Sequence, residues 1–151
     1  MCLTSKSNKL EVAEKDIVCY KCMAFDELEE LFRTPYQYVS IEKEIISGKK
    51  PFCAKGGLKK FKDKDGNICF EGGLIHTFKS LKDAKELCDF WREGVIFKCI
   101  IPKGTKYVLG QFESFINDYC TSYASKKIIF KGIVYNGGTI ERSIKKKLGL
   151  I

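Results

Sequence analysis

The sequence predicts a single α+β domain built on a mixed, mostly antiparallel sheet with a few short helices. Three observations carry that prediction. Runs of β-branched and aromatic residues recur at DIVCYKCM (16–23), VIFKCII (95–101) and KIIFKGIVY (127–135). Apolar residues at helical spacing are confined to short stretches, at 81–91 and 140–148. No internal repeat or linker divides the 151 residues, a length that builds one core without staples.

Taken in order, residues 1–15 are polar and aperiodic and read as a loosely held arm before a domain spanning 16–151. DIVCYKCM is the first strand. Asp26 then caps a short helix, ELEELFR, whose acidic first turn suits the helix dipole and which ends before Pro35. TPYQYVSIEKEII is aromatic and β-branched, either extended or an irregular crossing segment. Residues 47–66 are glycine-rich and basic, a hairpin or a long flexible loop; Lys64-Asp65-Gly66-Asn67 is a turn signal and NICFEG a returning strand.

LIHTF (74–78) is a short strand, after which Ser80 caps a helix with Asp83 three residues on. Leu81, Ala84, Leu87, Cys88 and Trp91 form its apolar face, and Gly94 stops it. VIFKCII has the near-continuous apolar character of a central strand, Pro102-Lys103-Gly104 turns the chain, and TKYVLG returns. Residues 111–125 show no clear period. KIIFKGIVY is a further strand, closed by a turn at Asn136-Gly137-Gly138. Ile140, Ile144 and Leu148 mark a C-terminal amphipathic helix, capped by Thr139, with Lys145, Lys146 and Lys147 near its negative end.

Composition narrows the chemistry. No apolar run reaches the roughly 18–20 residues of a membrane span. The N-terminal MCLTSKSNKLEVAEKD lacks a signal-peptide core, so the expectation is a soluble, cytoplasmic protein with no membrane partner. The eight cysteines then read as core thiols. Cys19 and Cys22 resemble half a zinc knuckle, but no second CxxC or His pair completes it, and residues three apart on a strand face opposite ways. No metal is expected. A single histidine, His76, excludes two-histidine chemistry; it is either the base of a Cys–His pair or a structural residue on an apolar strand.

The net charge of +8 points to an anionic partner, with solubility as the alternative reading. Lys49, Lys50, Lys55, Lys59, Lys60, Lys62 and Lys64 meet little acidic charge in 47–66, as an electrostatic contact or a solvated loop. Glycine pairs at 56–57, 72–73 and 137–138 lack the spacing of a phosphate loop. Phosphate would instead be met by lysines and by N–H groups at the helix start near Ser80.

Three segments together resemble the ADP-ribosyltransferase-like fold. CYKC stands where that family has its first Arg or His strand, with Lys21 at the position. LIHTFKSLKDA is similar to its Ser/Thr strand running into a helix, and VIFKCIIPKGTKYV to its strand-turn-strand. Its Glu-x-Glu motif has no counterpart near the last strands, where Glu113 and Glu141 are the carboxylates at hand. The resemblance implies a cleft between strands for a nucleotide-like anion, lined by Tyr20, Lys21, His76, Thr77, Lys79 and Tyr107. Read singly, Tyr20, His76 and Tyr107 are also ordinary core aromatics with a polar tip. The opening MCL and the segment VIFKCIIPKG are similar to small proteins of Bacteroides-type bacteria and their phages.

Three functions follow as expectations. The first is a non-enzymatic binding protein for an anionic nucleotide-type small molecule or an acidic protein surface. In its phage-type form it sequesters a nucleotide signal or blocks a defence complex, without a cofactor. The second is an ADP-ribosyltransferase-like enzyme acting on NAD. The third is a nucleic-acid-binding module. The expected anionic-partner surface is Lys49, Lys50, Lys59, Lys60, Lys145, Lys146 and Lys147.

Overall fold

A computed structural model describes residues 2–35, 39–90, 94–112, 120–136 and 140–151. Their strands are β1 (Cys2–Ser5), β2 (Glu11–Val12), β3 (Ile17–Asp26), β4 (Leu31–Arg33), β5 (Ser40–Ile41), β6 (Phe52–Cys53), β7 (Lys59–Lys62), β8 (Ile68–Glu71), β9 (Ile75–Phe78), β10 (Gly94–Ile101), β11 (Lys106–Phe112), β12 (Cys120–Ser125) and β13 (Lys127–Asn136). The helices are α1 (Lys43–Ile46), α2 (Leu81–Phe90) and α3 (Arg142–Lys147). The strands form one curled sheet, a half-barrel, in the order β6-β13-β10-β3-β9-β12-β11-β1-β8-β7. Every pairing among the described residues is antiparallel, so the expected mixture of strand directions gives way to a uniform sheet. Successive strands joined by short turns reverse direction, and no long crossover places two neighbours parallel.

The centre is the triplet β3-β10-β13. β10 pairs with β3 along its whole length, from Gly94↔Ala24 to Ile101↔Ile17. Its register with β13 shifts beside Phe97, an irregularity that adds local twist. One face of this triplet carries Phe25, Phe32, Phe97 and Phe130, with successive ring centroids 5.1, 5.0 and 5.1 Å apart. The other face is covered by α2, whose Ala84, Leu87 and Cys88 pack with Cys22, Phe78 and Ile96. Cys19 belongs to the first cluster and Cys22 to the second, on opposite faces as strand alternation demands. Ser80 Oγ accepts the Asp83 N–H at 3.1 Å, which caps α2.

Several segments depart from expectation. Asp26 does not open a helix. Its Oδ1 accepts the N–H groups of Leu28 and Glu29, both at 3.1 Å, in a turn that sends β4 back along β3. The same oxygen chemistry serves a cap or a turn, and burial of Phe32 against Phe25 decides for the turn. The arm expected at 1–15 is partly built into the sheet: β1 lies between β8 and β11, and β2 pairs with β11. Ala13 and Asp16 are also tied to the 102–105 turn, through Gly104 N–H to Ala13 O (2.8 Å) and Lys103 N–H to Asp16 Oδ1 (2.9 Å). Within 39–46, β5 and α1 replace a single extended or irregular crossing. Gly94, expected to stop α2, is also the first residue of β10, and Cys120–Ser125, a stretch without a clear period, is a strand. Of 47–66, the part from Lys59 on forms the hairpin of β7 with β8, whereas Phe52–Cys53 is β6, paired with β13. Trp91, Gly137, Gly138 and Thr139 lie outside the described residues, and Glu141 rather than Thr139 stands at the N-cap of α3, which begins at Arg142. Among the described residues no helix is long and apolar enough to cross a membrane.

Candidate functional site

Lys21 sits in the middle of β3, opposite Phe97 of β10, and is 7% exposed. Its Nζ donates to the His76 carbonyl oxygen on β9 at 2.9 Å. No carboxylate among the described residues lies within 4.0 Å of it. Burial draws the Lys21 pKa down, and the neighbouring thiols of Cys22, Cys99 and Cys19 partly oppose that. The ammonium in turn acts on its surroundings. Burial pushes the Cys19 thiol up to about 11, against the lowering influence of the Thr77 hydroxyl and of Lys21. Thr77 is fully buried beside that thiol.

The His76 ring points the other way along β9. It meets Phe78 edge-on at 4.8 Å and Phe112 at 4.4 Å, both in the cluster beneath α2. Its Nε2 is sealed from solvent and has no hydrogen-bond partner among the described residues. Burial first, and the Lys21 charge second, hold its pKa well below 6.5, so the imidazole is neutral at pH 7. Among the described residues no thiol is hydrogen-bonded to Nε2, so the structure brings no Cys–His pair together there.

The six residues expected to line a cleft therefore divide. Lys21 and Thr77 share one face of the sheet, while Tyr20 and the His76 ring belong to the other. Lys79 is exposed just beyond β9. Tyr107 lines an open groove of about 830 Å³ with Glu11, Val12, Glu14, Lys15 and Ile17. Burial and the Glu11 carboxylate beside it raise its phenol pKa. Two carboxylates against one lysine make that groove unsuited to an anion. A second groove, about 290 Å³, lies between β4, β5, α1 and Leu148 and holds none of the six.

The lysine surface is open. Lys49, Lys50, Lys59, Lys60, Lys146 and Lys147 are exposed and Lys145 is half-buried. They form two patches. Lys49 and Lys50 follow α1, and Lys145 to Lys147 lie on α3, whose end reaches α1 where Gly149 approaches Ser47. Lys147 pairs with Glu30 at 2.6 Å, the one lysine–carboxylate pair within 4.0 Å among the described residues. Lys59 and Lys60 lie on β7, at the far end of the strand order. Lys60 lies over the Phe70 ring, 5.6 Å from its centroid, and its Nζ donates to the Asn8 carbonyl at 2.8 Å.

One residue of this surface escaped the sequence reading. Phe61, between Lys60 and Lys62, is 48% exposed on β7. Its signal was visible as the lone aromatic inside the lysine run KKFK, but a hairpin aromatic reads first as core. Compared with known proteins, the chain matches no family model, no curated protein and no solved structure.

Proposed function

We propose that the protein is a non-enzymatic binding protein that engages an anionic partner through its lysine surface. The observation that carries this reading is the exposure of Lys49, Lys50, Lys59 and Lys60 with no carboxylate within 4.0 Å among the described residues. Lysines without a close ion pair raise the local potential and steer an oppositely charged partner, Lys59 the least because Glu71 stands opposite it. The buried Lys21 and the neutral His76 leave Lys79 as the one open cation of the expected cleft residues, which disfavours a small nucleotide as the ligand. In the phage-type form of this reading, blocking a defence complex suits two separated basic patches better than sequestering a nucleotide signal does.

The test is a thermal-shift panel of NAD, ADP-ribose, cyclic di- and trinucleotides, polyglutamate and oligo(dT). A ligand at about a hundred times its dissociation constant stabilises the fold by about 2.7 kcal/mol. Stabilisation by a polyanion is expected, declining with salt and lost when Lys49, Lys50, Lys59 and Lys60 are changed to Glu. Consumption of NAD, or indifference to every anion, overturns the reading.

A further inference from the structure

β7 ends the sheet. It pairs with β8 through Lys59↔Glu71, Lys60↔Phe70, Phe61↔Cys69 and Lys62↔Ile68, and with no other strand among the described residues. The hairpin turn fixes which backbone groups face inward. Asp63 N–H donates to Asn67 O at 2.9 Å, so Asp63 bonds inward, while its carbonyl accepts Gly66 N–H within the turn and its Oδ1 accepts Asn67 N–H. Along an antiparallel ladder inward-bonded residues alternate. Inward bonding therefore falls to Phe61 and Lys59, and the N–H and C=O groups of Lys60 and Lys62 face the open edge. All four side chains of β7 are exposed, with Lys60 and Lys62 on one face and Lys59 and Phe61 on the other.

An open edge accepts another strand unless something prevents it. A second copy of this edge would set lysine against lysine, which disfavours self-pairing. An acidic strand would meet complementary charge at Lys62, and at Lys60 once its ammonium swings from the Asn8 carbonyl and the Phe70 ring toward the edge. Nucleic acid could use the lysines and the Phe61 ring, but it has no use for a row of strand-type donors and acceptors. We infer that β7 is a docking edge for an extended acidic segment of a partner protein, added as a further antiparallel strand. The incoming strand carries Asp or Glu opposite Lys60 and Lys62, and an apolar residue between them opposite Phe61. This rests on the anionic-partner reading above and gives that partner a chemistry and a register.

The experiment selects short random peptides displayed on particles against the full chain. Acidic–apolar–acidic triplets are expected among the binders. A selected peptide, made synthetically, loses roughly tenfold or more in affinity against a Lys60→Glu/Lys62→Glu protein. Lys60→Glu also gives up the hydrogen bond to the Asn8 carbonyl, so the single Lys62→Glu protein is tested beside it, and an unchanged melting temperature and circular dichroism spectrum verify its folding. N-methylation of the peptide's edge-facing amides supplies a second test that leaves the protein untouched, and it abolishes binding if a strand is added. Binders without acidic enrichment, or binding indifferent to N-methylation, overturn the inference. Acidic peptides that depend on Lys49, Lys50 and Lys145 to Lys147 overturn it while sparing the anionic-partner reading. Binding of oligo(dT) alone has that same consequence. Failure of every peptide and polyanion removes both.

Discussion

Lys21 and His76 show how one buried cation sets its neighbours. Lys21 has a carbonyl for its ammonium but no carboxylate within reach among the described residues, and its charge adds to burial in keeping His76 neutral. The consequence is a pH dependence with a definite sign. Folded His76 takes up a proton only well below pH 6.5, whereas the unfolded chain binds one below about pH 6.5. Unfolding is then favoured as pH falls, and the stability present above 6.5 is lost progressively below it, by about 1.4 kcal/mol per pH unit. Asp26, whose carboxylate is held below its usual range by the Glu29 N–H and by Arg33, enters only at lower pH. Urea unfolding of wild type and His76→Phe between pH 7 and about 5 isolates the effect. The wild type weakens across that window, and the variant, with its ring kept against Phe78 and Phe112, stays level. Parallel profiles would mean that His76 is protonated in the folded protein.

Among the elements, β1 is the least expected and the most closely constrained. Leu3 packs with Ile68, Phe70 and Val108, and Thr4 Oγ1 donates to the Gln111 carbonyl at 3.3 Å. The strand can lie there because Gly110 of β11 has no side chain. A Cβ at that position would run into the Thr4 carbonyl oxygen and the Leu3 side chain. Gly110→Ala is therefore expected to displace β1 from β11, costing about 1–3 kcal/mol as other overpacking does. Hydrogen exchange resolves the outcome by location. Leu3 and Thr4 amides lose protection first, whereas uniform loss across β3 and β10 would show that β1 does not open separately.

For the whole molecule, the decisive feature is that one curled sheet is filled from both faces around β3 and β10. Phe97 is fully buried between Phe32 and Phe130, joining β4, β10 and β13 in a single aromatic cluster. Phe97→Ala leaves a cavity that neither strand can close without breaking its ladder, at a cost of about 3–5 kcal/mol. Calorimetry is expected to show one cooperative transition at lower temperature. Two separated transitions would instead place the basic hairpin and β1 in a unit independent of that core. Short links tie the loops at one end of the sheet: Ala54 N–H donates to the Lys126 carbonyl at 2.9 Å, and Lys126 Nζ to the Gly73 carbonyl at 3.1 Å. These connect the stretch between β6 and β7 to the turns that flank β9 and β13.

What the sequence determined by itself was local. The runs at 17–23, 95–101 and 127–135 marked strands, the middle one buried almost throughout and the outer two in part, and the Ser80–Asp83 spacing marked the start of α2. The basic, exposed character of 49–64 was equally legible, because charge needs no partner to be counted. Tertiary structure decided whatever depended on a distant residue. Asp26 could start a helix or a turn until Phe32 found Phe25, and the polar stretch at 2–5 became a strand only because β8 and β11 offered it two edges. The expected cleft divided for the same reason. Lys21 and Tyr20 are adjacent in sequence, yet strand alternation and the pairing of β3 with β9 send one ammonium to a carbonyl and one phenol toward the opposite face. Composition can count a lysine as a cation, but burial and partner decide whether that cation is free to bind anything.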